Sequence, residues 1–476
     1  MNRRRFLGAG LASAAAACGV PPTRSAAVPP PAAFAGDRVA PLGAVSRLVV
    51  ERQDPLAGRC RYVADLGPRK VAQPIFVARR GERFDAVIDN ALPQPTTVHF
   101  HGLTLAEAQD GAGFDPIAPG ANKRLRFEVK NRSGLYWFHP HPHGFTAEQV
   151  YGGLAGLLVV TDDDDEALDA ALGLAPGNRL ALAVADARVV AGAIRPYAPT
   201  AEDCLIGWFG NRALVNGELD AERRVTPGWA RLQILNACNA RGLLLGFRDT
   251  AAREGEQLIP FSLLGTDGGL LGAPREIDRA FLYTGERVDV AVNLAGRRAV
   301  VAVSLEFDAR HQAHGMPPRH HHPARDRYPA LAAEAVCESA VRSDPGDRLP
   351  DGAELSLFTL HVGAAPARAT PPLPSRLSGL PDAATGPQDA TRRLRLDFDE
   401  RTGFLIDRPP TASTRPHSAC GAARARPGRS GTVRSRCLIR CTCTGSASGC
   451  CGGRAPMARH GASPPRAAGG SRPTSA

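Results

Sequence analysis

Acidic residues are absent from the last 69 residues of this 476-residue chain. Residues 408–476 contain twelve Arg and no Asp, Glu or Lys, whereas residues 1–407 hold 46 basic and 47 acidic side chains. The net charge of +11 therefore comes from the tail alone, and it gives no reason to expect a nucleic-acid partner. A folded domain of this length without a single carboxylate would be unusual in its composition.

Long apolar runs are absent beyond the N-terminus. The first twenty residues, MNRRRFLGAGLASAAAACGV, join a basic start to an apolar stretch of small residues. This pattern is typical of a secretion signal, and the Arg pair before Phe6 and Leu7 indicates the twin-arginine route. Cys18 is a candidate lipidation site. Since no later run is long enough to span a bilayer, we expect a periplasmic or extracellular protein without a membrane span.

Cysteine is sparse between residues 26 and 407, where only Cys60, Cys204, Cys238 and Cys337 occur, and their spacing follows no pattern. A disulfide between two of them is an open alternative whose connectivity the sequence does not reveal. Cysteine next to histidine is absent from the whole chain.

Short alternating apolar runs broken by Gly and Pro predict an all-β fold. The acidic run Asp162–Glu166 is expected to be a solvated linker between two β-rich blocks. The predicted organisation is a signal and linker over 1–35, β domains over 36–165 and 175–365, a Pro/Ala-rich linker over 366–388, the start of a third β domain over 389–407, and a tail over 408–476.

Two His-x-His pairs provide the strongest chemical signal. TTVHFHGLTL contains His99 and His101, and GLYWFHPHPHG contains His139 and His141. Residues i and i+2 of a strand point to the same face, about 7 Å apart along the strand. A single pair would most simply be structural, but two pairs 40 residues apart favour a metal site. Imidazole clusters suit copper, zinc or iron, and copper is the expected metal in an exported protein.

These two stretches resemble the multicopper oxidases, the family of laccases, bilirubin oxidase and copper-efflux oxidases. LVNGELDAERRVTPGWARLQILNACNAR and GTDGGLLGAPREIDRAFLYTGERVDVAV are similar to that family's middle cupredoxin domain, so the resemblance covers roughly residues 40–407. It implies tandem cupredoxin domains, each a Greek-key β-sandwich. It also implies an oxidoreductase that couples oxidation of a small reducing substrate or metal ion to reduction of O2 to water.

The resemblance also implies individual roles for five residues. His99 corresponds to a type-2 copper ligand, and His101, His139 and His141 correspond to type-3 copper ligands. Asp110 corresponds to the acid that moves protons near the cluster, although a simple turn residue before Gly111 is the alternative. The family's His-Pro-x-His-Leu-His-Gly and His-Cys-His motifs do not occur in this chain. With no type-1 copper ligands, the chain as it stands is expected to lack oxidase turnover.

The Cys-rich stretch SRCLIRCTCTGSASGC, Ser435–Cys450, has no common structural zinc spacing. One GC-rich coding of Cys437–Gly449, read two bases later, gives Pro-His-Pro-Leu-His-Leu-His-Gly-Phe-Arg-Phe-Arg, which contains the missing motif. A Cys codon ends in T or C, so Cys-Thr read in this offset yields only His or Tyr. We therefore expect a frameshift, natural or from sequencing, near Asp407–Pro410, followed by a disordered out-of-frame tail. A genuine zinc or redox segment is the alternative.

Alternatives remain open for one loop and for the function of the whole chain. The loop containing His311, His314, Met316 and His320–His322 either binds additional copper, as inserts of copper-efflux oxidases do, or is a solvated disordered loop. The rival function is that of a non-enzymatic exported cupredoxin protein for copper binding or envelope structure. A mononuclear zinc hydrolase is a third alternative. The reducing substrate and the oligomeric state are not readable from the sequence.

Overall fold

The computed structural model describes residue 34 and residues 36–112, 115–251, 258–309, 346–364, 370–379, 396–399 and 403–406. The predicted signal, the His-rich loop, the frameshift position and the Cys-rich tail lie outside these residues. Within the described part of the chain, no helix is long and apolar enough to cross a membrane.

The first β-sandwich lies between residues 39 and 161 and consists of two five-stranded sheets. Sheet I has the strand order β4-β3-β2-β6-β8, and its strands are β2 Arg47–Asp54, β3 Arg59–Asp65, β4 Lys70–Ala72, β6 Arg83–Asn90 and β8 Asn122–Glu128. Sheet II has the order β1-β5-β10-β9-β7, and its strands are β1 Val39–Pro41, β5 Ile75–Arg79, β7 His99–His101, β9 Gly134–His139 and β10 Gly156–Thr161.

The second sandwich, between residues 179 and 362, pairs a seven-stranded sheet III with a five-stranded sheet IV. Sheet III has the order β15-β14-β11-β17-β22-β19-β20, with β11 Arg179–Ala187, β14 Arg212–Val215, β15 Glu218–Leu219, β17 Trp229–Asn236, β19 Phe261–Thr266, β20 Gly269–Ile277 and β22 Arg287–Asn293. Sheet IV has the order β16-β24-β23-β18-β21, with β16 Ala221–Val225, β18 Leu243–Asp249, β21 Ala280–Leu282, β23 Ala299–Ser304 and β24 Leu355–Val362.

Helices are few and short in the described chain. They are the 3-10 turn Leu42–Ala44, α1 Glu107–Asp110, α2 Thr146–Tyr151, α3 Asp163–Leu172 and α4 Ala201–Ile206. Two small hairpins complete the elements: β12 Val189–Val190 with β13 Ala193–Ile194, and β25 Leu396–Asp399 with β26 Gly403–Ile406. The second hairpin is what the structure describes of the segment predicted to start a third domain. The predicted all-β class with cupredoxin-type domains is confirmed.

The alternation of side chains along β9 and β10 divides them between two apolar layers. Tyr136 and Phe138 of β9 join the core between sheets I and II. Leu135 and Trp137 point the other way and pack with Ala183 and Leu235 of sheet III. Every residue of β9 and β10 is consequently buried. The two sandwiches therefore share an apolar interface, with sheet II between two hydrophobic layers.

The acidic run Asp162–Glu166 is not the solvated linker that its composition predicted. Asp162 caps α3 by accepting a hydrogen bond from the backbone N–H of Asp165 at 3.1 Å. The Asp165 carboxylate is fully buried and contacts Arg179 at 2.7 Å and Arg231 at 2.8 Å. Composition alone could not reveal this, because the two arginines that compensate the buried charge lie in sheet III, well beyond the run.

The predicted linker after residue 365 is also packed where the structure describes it. The Trp229 indole N–H donates to the Pro371 carbonyl oxygen at 2.8 Å, and the Leu377 N–H donates to the Gly272 carbonyl oxygen at 2.9 Å. Leu377 is buried beside Leu168 of α3. Residues 370–379 therefore run along edge strand β20 and fasten α3 to the second sandwich.

We expect Asp165→Asn to destabilise the fold by about 3–5 kcal/mol, because it removes the buried carboxylate that Arg179 and Arg231 share and leaves their two positive charges to Asp169 and Asp289 alone. Arg179 and Arg231 outweigh the desolvation of Asp165 and lower its pKa. The carboxylate's contribution is therefore present above the unfolded-state pKa, near 4, and is lost as the pH falls below that value. Urea unfolding at pH 7 and pH 3 measures both effects.

Asp163→Asn is the matched control, because the Asp163 side chain is 92% exposed in the same helix. Its removal should change the unfolding free energy by no more than about 1 kcal/mol. Equal losses for the two variants would contradict the assigned role of Asp165.

Candidate metal centre

The register of β7 and β9 brings the two predicted histidine pairs together. The strands are antiparallel, with His99 opposite His139 and His101 opposite Trp137. Phe100 and Phe138 enter the core of the first sandwich, so the alternating histidines project from the opposite face. That face is the one directed at the second sandwich. The cluster therefore lies at the edge of the layer between the two sandwiches.

Four imidazole rings lie close together at this position. Ligating nitrogens of His99, His101 and His139 all lie within 4.8 Å of one another. The ring centroid of His141 lies 5.4 Å from that of His99 and 5.9 Å from that of His139. His99 and His139 are buried, whereas His141 is exposed. β9 ends at His139, so His141 and His143 lie beyond the strand, and His143 lies in a turn with Gly144.

Hydrogen bonds fix which nitrogen of each buried ring is free to bind a metal. His99 Nδ1 lies 2.9 Å from the Asp110 carbonyl oxygen, and His139 Nδ1 lies 2.8 Å from the Pro140 carbonyl oxygen. A carbonyl oxygen only accepts, so both rings carry a proton on Nδ1, and Nε2 is the nitrogen left to face a metal. His139 Nε2 faces His101 Nδ1 at 3.3 Å.

The electrostatic environment favours neutral imidazoles. Burial, followed by the positive charge of Arg287 and the neighbouring histidines, lowers the pKa of His101 to about 2. Burial also lowers the pKa of His139 and of His141. A neutral ring with an available lone pair is the form that binds a metal ion. A cluster of imidazole nitrogens fits copper or zinc better than calcium or magnesium, which prefer oxygen ligands.

Asp110 is buried beside His99 and is not only a turn residue. Its carboxylate Oδ2 lies 3.3 Å from His99 Nδ1, and Oδ1 is buried with no hydrogen-bond partner among the described residues. Asp110 ends α1, and Gly111 follows with a φ of 69°. Its place before Gly111 is that of a turn residue, and its role in moving protons stays a prediction.

Gly111 allows α1 to approach the histidine strand. A Cβ at this position would lie 2.0 Å from the carbonyl oxygen of Val98, the residue before His99. Since Cβ atoms do not approach backbone oxygens so closely, only glycine permits this contact. The glycine therefore determines the distance between Asp110 and His99.

Two side chains of the site were missed by the sequence analysis. Trp137 stacks on the His139 ring with centroids 4.0 Å apart and contacts the His101 ring at 5.1 Å. Strand alternation could have indicated Trp137, because it precedes His139 by two residues and therefore lies on the same face of β9. Thr97 accepts a hydrogen bond from the His141 N–H at 2.8 Å, a contact between segments that no local pattern indicates.

The structure describes three of the four cysteines between residues 26 and 407, and it bears on the expected disulfide. Cys204 is disulfide-bonded, whereas Cys60 and Cys238 are free and buried. A disulfide is typical of proteins that fold outside the reducing cytosol.

Comparison with known proteins identifies one matching segment and several relatives. Residues 68–165 match a family model described as multicopper oxidase. The multicopper oxidase mco of Staphylococcus aureus is 31% identical over 222 residues, which are 47% of this chain and 46% of that protein. Cell division protein FtsP of Photorhabdus laumondii is 28% identical over 233 residues, 49% of this chain and 47% of that protein. The chain thus spans about half the length of these curated relatives.

The fold has counterparts among solved structures. The McoA multicopper oxidase from the hyperthermophile Aquifex aeolicus aligns with a TM-score of 0.59 and 23% sequence identity. The alignment covers 78% of this chain and 72% of that one. At this level of identity the likeness concerns the arrangement of the sandwiches alone.

We expect Gly111→Ala to displace α1 from β7 and weaken metal binding at the histidines, because the added methyl collides with the Val98 carbonyl oxygen. Gly144→Ala is the matched control. Gly144 also has a positive φ, of 80°, but a Cβ at this position would have no atom within 4 Å. The control should lose about 1 kcal/mol of stability and retain its Cu(I) affinity in a competition titration with bicinchoninate. Identical affinities for both variants would refute the packing argument.

Proposed function

We propose that this chain is a member of the multicopper oxidase family, whose model matches residues 68–165, and that its histidine cluster is part of a copper site for the reduction of O2. His101, His139 and His141 would bind type-3 copper ions, and His99 would bind the type-2 ion. When bound, these copper ions would pass electrons from a reducing substrate to O2. The convergence of three imidazole ligands within 4.8 Å is the observation that carries this proposal.

Asp110 is proposed to hold and deliver protons beside this site. Oδ1 has no hydrogen-bond partner among the described residues, and Oδ2 is near His99. A carboxyl group so placed exchanges protons with a water molecule or with bound oxygen without moving the backbone. The reducing partner is proposed to be a small organic molecule or a metal ion, in an exported protein that uses the twin-arginine signal.

We propose that this chain binds copper but does not turn over as an oxidase. The reason is that no Cys in the sequence adjoins a His, so the ligand arrangement expected for a type-1 copper is missing. The similarity to FtsP, a cell division protein by its name, supports the rival proposal of a non-enzymatic envelope protein. Copper content separates the two proposals.

The purified chain, loaded with Cu(I), dialysed and then oxidised in air, should retain copper by atomic emission and should lack the blue absorption band of a type-1 Cu(II) site. His101→Gln combined with His139→Gln should lose that copper, because both ligands with closely facing nitrogens are removed. His361→Gln is the control, since His361 pairs with Glu222 on β16 and away from the cluster. A wild-type chain that purifies and remains copper-free favours the structural alternative.

Resequencing the gene across codons 400–450 tests the proposed frameshift. We expect one added or removed base near codons 407–410 to restore Pro-His-Pro-Leu-His-Leu-His-Gly in frame. A chain expressed from the restored gene should then oxidise phenolic substrates with consumption of O2. An unchanged nucleotide sequence in independent isolates would mean that the organism makes the chain with this tail.

A further inference from the structure

A buried arginine of the second sandwich reaches the edge of the histidine strands. Arg287 begins β22 and is 5% exposed. Its Nε donates to the Leu135 carbonyl oxygen of β9 at 3.1 Å, across 152 residues of sequence. The contact matters because β9 is the strand that ends at His139.

Arg287 occupies the place where strand β7 stops. The pairing of β7 with β9 ends at His101 opposite Trp137, so Leu135 has no described strand partner on that side. The guanidinium supplies a hydrogen bond there in place of a backbone N–H. An unpaired carbonyl oxygen in this apolar layer would cost free energy, and the Arg287 contact removes that cost.

Gly102, which follows His101, also depends on this guanidinium. Its φ is 85°, and a Cβ at this position would lie 2.8 Å from Arg287 Nη2. The chain leaves β7 in a left-handed turn that only glycine adopts readily. Arg287 therefore contacts both strands of the site, β9 at Leu135 and the end of β7 at Gly102.

The guanidinium is itself held firmly in place. It forms an ion pair with Asp267 at 3.0 Å and donates to the carbonyl oxygens of Asp267 and Gly285 at 3.1 Å each. Gly285 lies against the cluster, since a Cβ there would be 3.6 Å from His101 Cε1 and 3.7 Å from Trp137 Cζ2. The turn from Tyr283 to Arg287 thus forms a rigid support beneath His101.

We propose that Arg287 is a positioning residue for the copper site, through which the second sandwich sets the geometry of ligands carried by the first. The inference rests on the proposed copper site. The positive charge of Arg287 opposes a bound cation. Any benefit of this residue to metal binding must therefore come from its hydrogen bond to Leu135 and its packing at Gly102. Position and charge therefore predict opposite effects when the residue is changed.

Two substitutions separate position from charge. Arg287→Lys keeps the charge and loses the planar fork of donors, whereas Arg287→Met removes both. If Arg287 positions the ligands, both variants weaken Cu(I) binding by about tenfold or more, the usual effect of losing a partner that orients metal ligands. A Lys variant with wild-type affinity, or a Met variant that binds copper more tightly, would overturn the proposal.

Arg241→Met is the matched control for general destabilisation. Arg241 is also buried in the second sandwich and pairs with Asp186 at 3.0 Å, but it contacts neither histidine strand among its described partners. Hydrogen–deuterium exchange of the metal-free full chain provides a second readout. Arg287→Met should increase exchange in peptides covering residues 96–104 and 134–139, and Arg241→Met should not.

Equal exchange in the two variants would reject the positioning role. If the wild-type chain binds no copper, the proposed function fails. The exchange comparison still decides whether Arg287 orders the histidine strands, because it is made without metal.

Discussion

The burial of sheet II on both faces is the constraint on which the rest of the structure depends. Residues of β9 alternate between the core of the first sandwich and the layer shared with the second. This alternation directs His139 toward the second sandwich, and the pairing with β7 directs His99 and His101 the same way. Desolvation by the surrounding layers lowers the pKa of His101 and His139 and keeps these two imidazoles neutral. The burial of sheet II therefore stabilises the fold and also sets the environment of the histidines for the proposed chemistry.

Much of this arrangement could be predicted from local sequence patterns. Strand alternation predicted the common face of His99 and His101, because that property depends only on neighbours in the chain. It does not account for the second pair, since β9 ends at His139 and His141 lies beyond the strand. The family resemblance added the role expected of Asp110, whose side chain does lie beside His99. The all-β class followed from the short alternating runs for the same local reason.

Other parts depend on contacts that the sequence does not show. From the sequence, Asp165 is expected to be one more solvated acid. Its burial is possible because the arginines of sheet III compensate its charge. Arg287 reads as an ordinary strand residue until Leu135 of a distant strand appears beside it. In both cases the deciding partner is brought close by docking of the sandwiches, a tertiary effect that periodicity cannot indicate. The domain boundaries and the individual copper roles remain predictions.

The position of Gly285 and Arg287 beneath the histidines has a consequence for the order of events during synthesis. Chains generally fold domain by domain from the N-terminus, and the four histidines leave the ribosome more than 140 residues before this turn does. The first sandwich can pair its strands in that interval, but the support under His101 is still missing. The histidine strands therefore gain this support only after the second sandwich has been synthesised, when the nascent chain has grown past its midpoint.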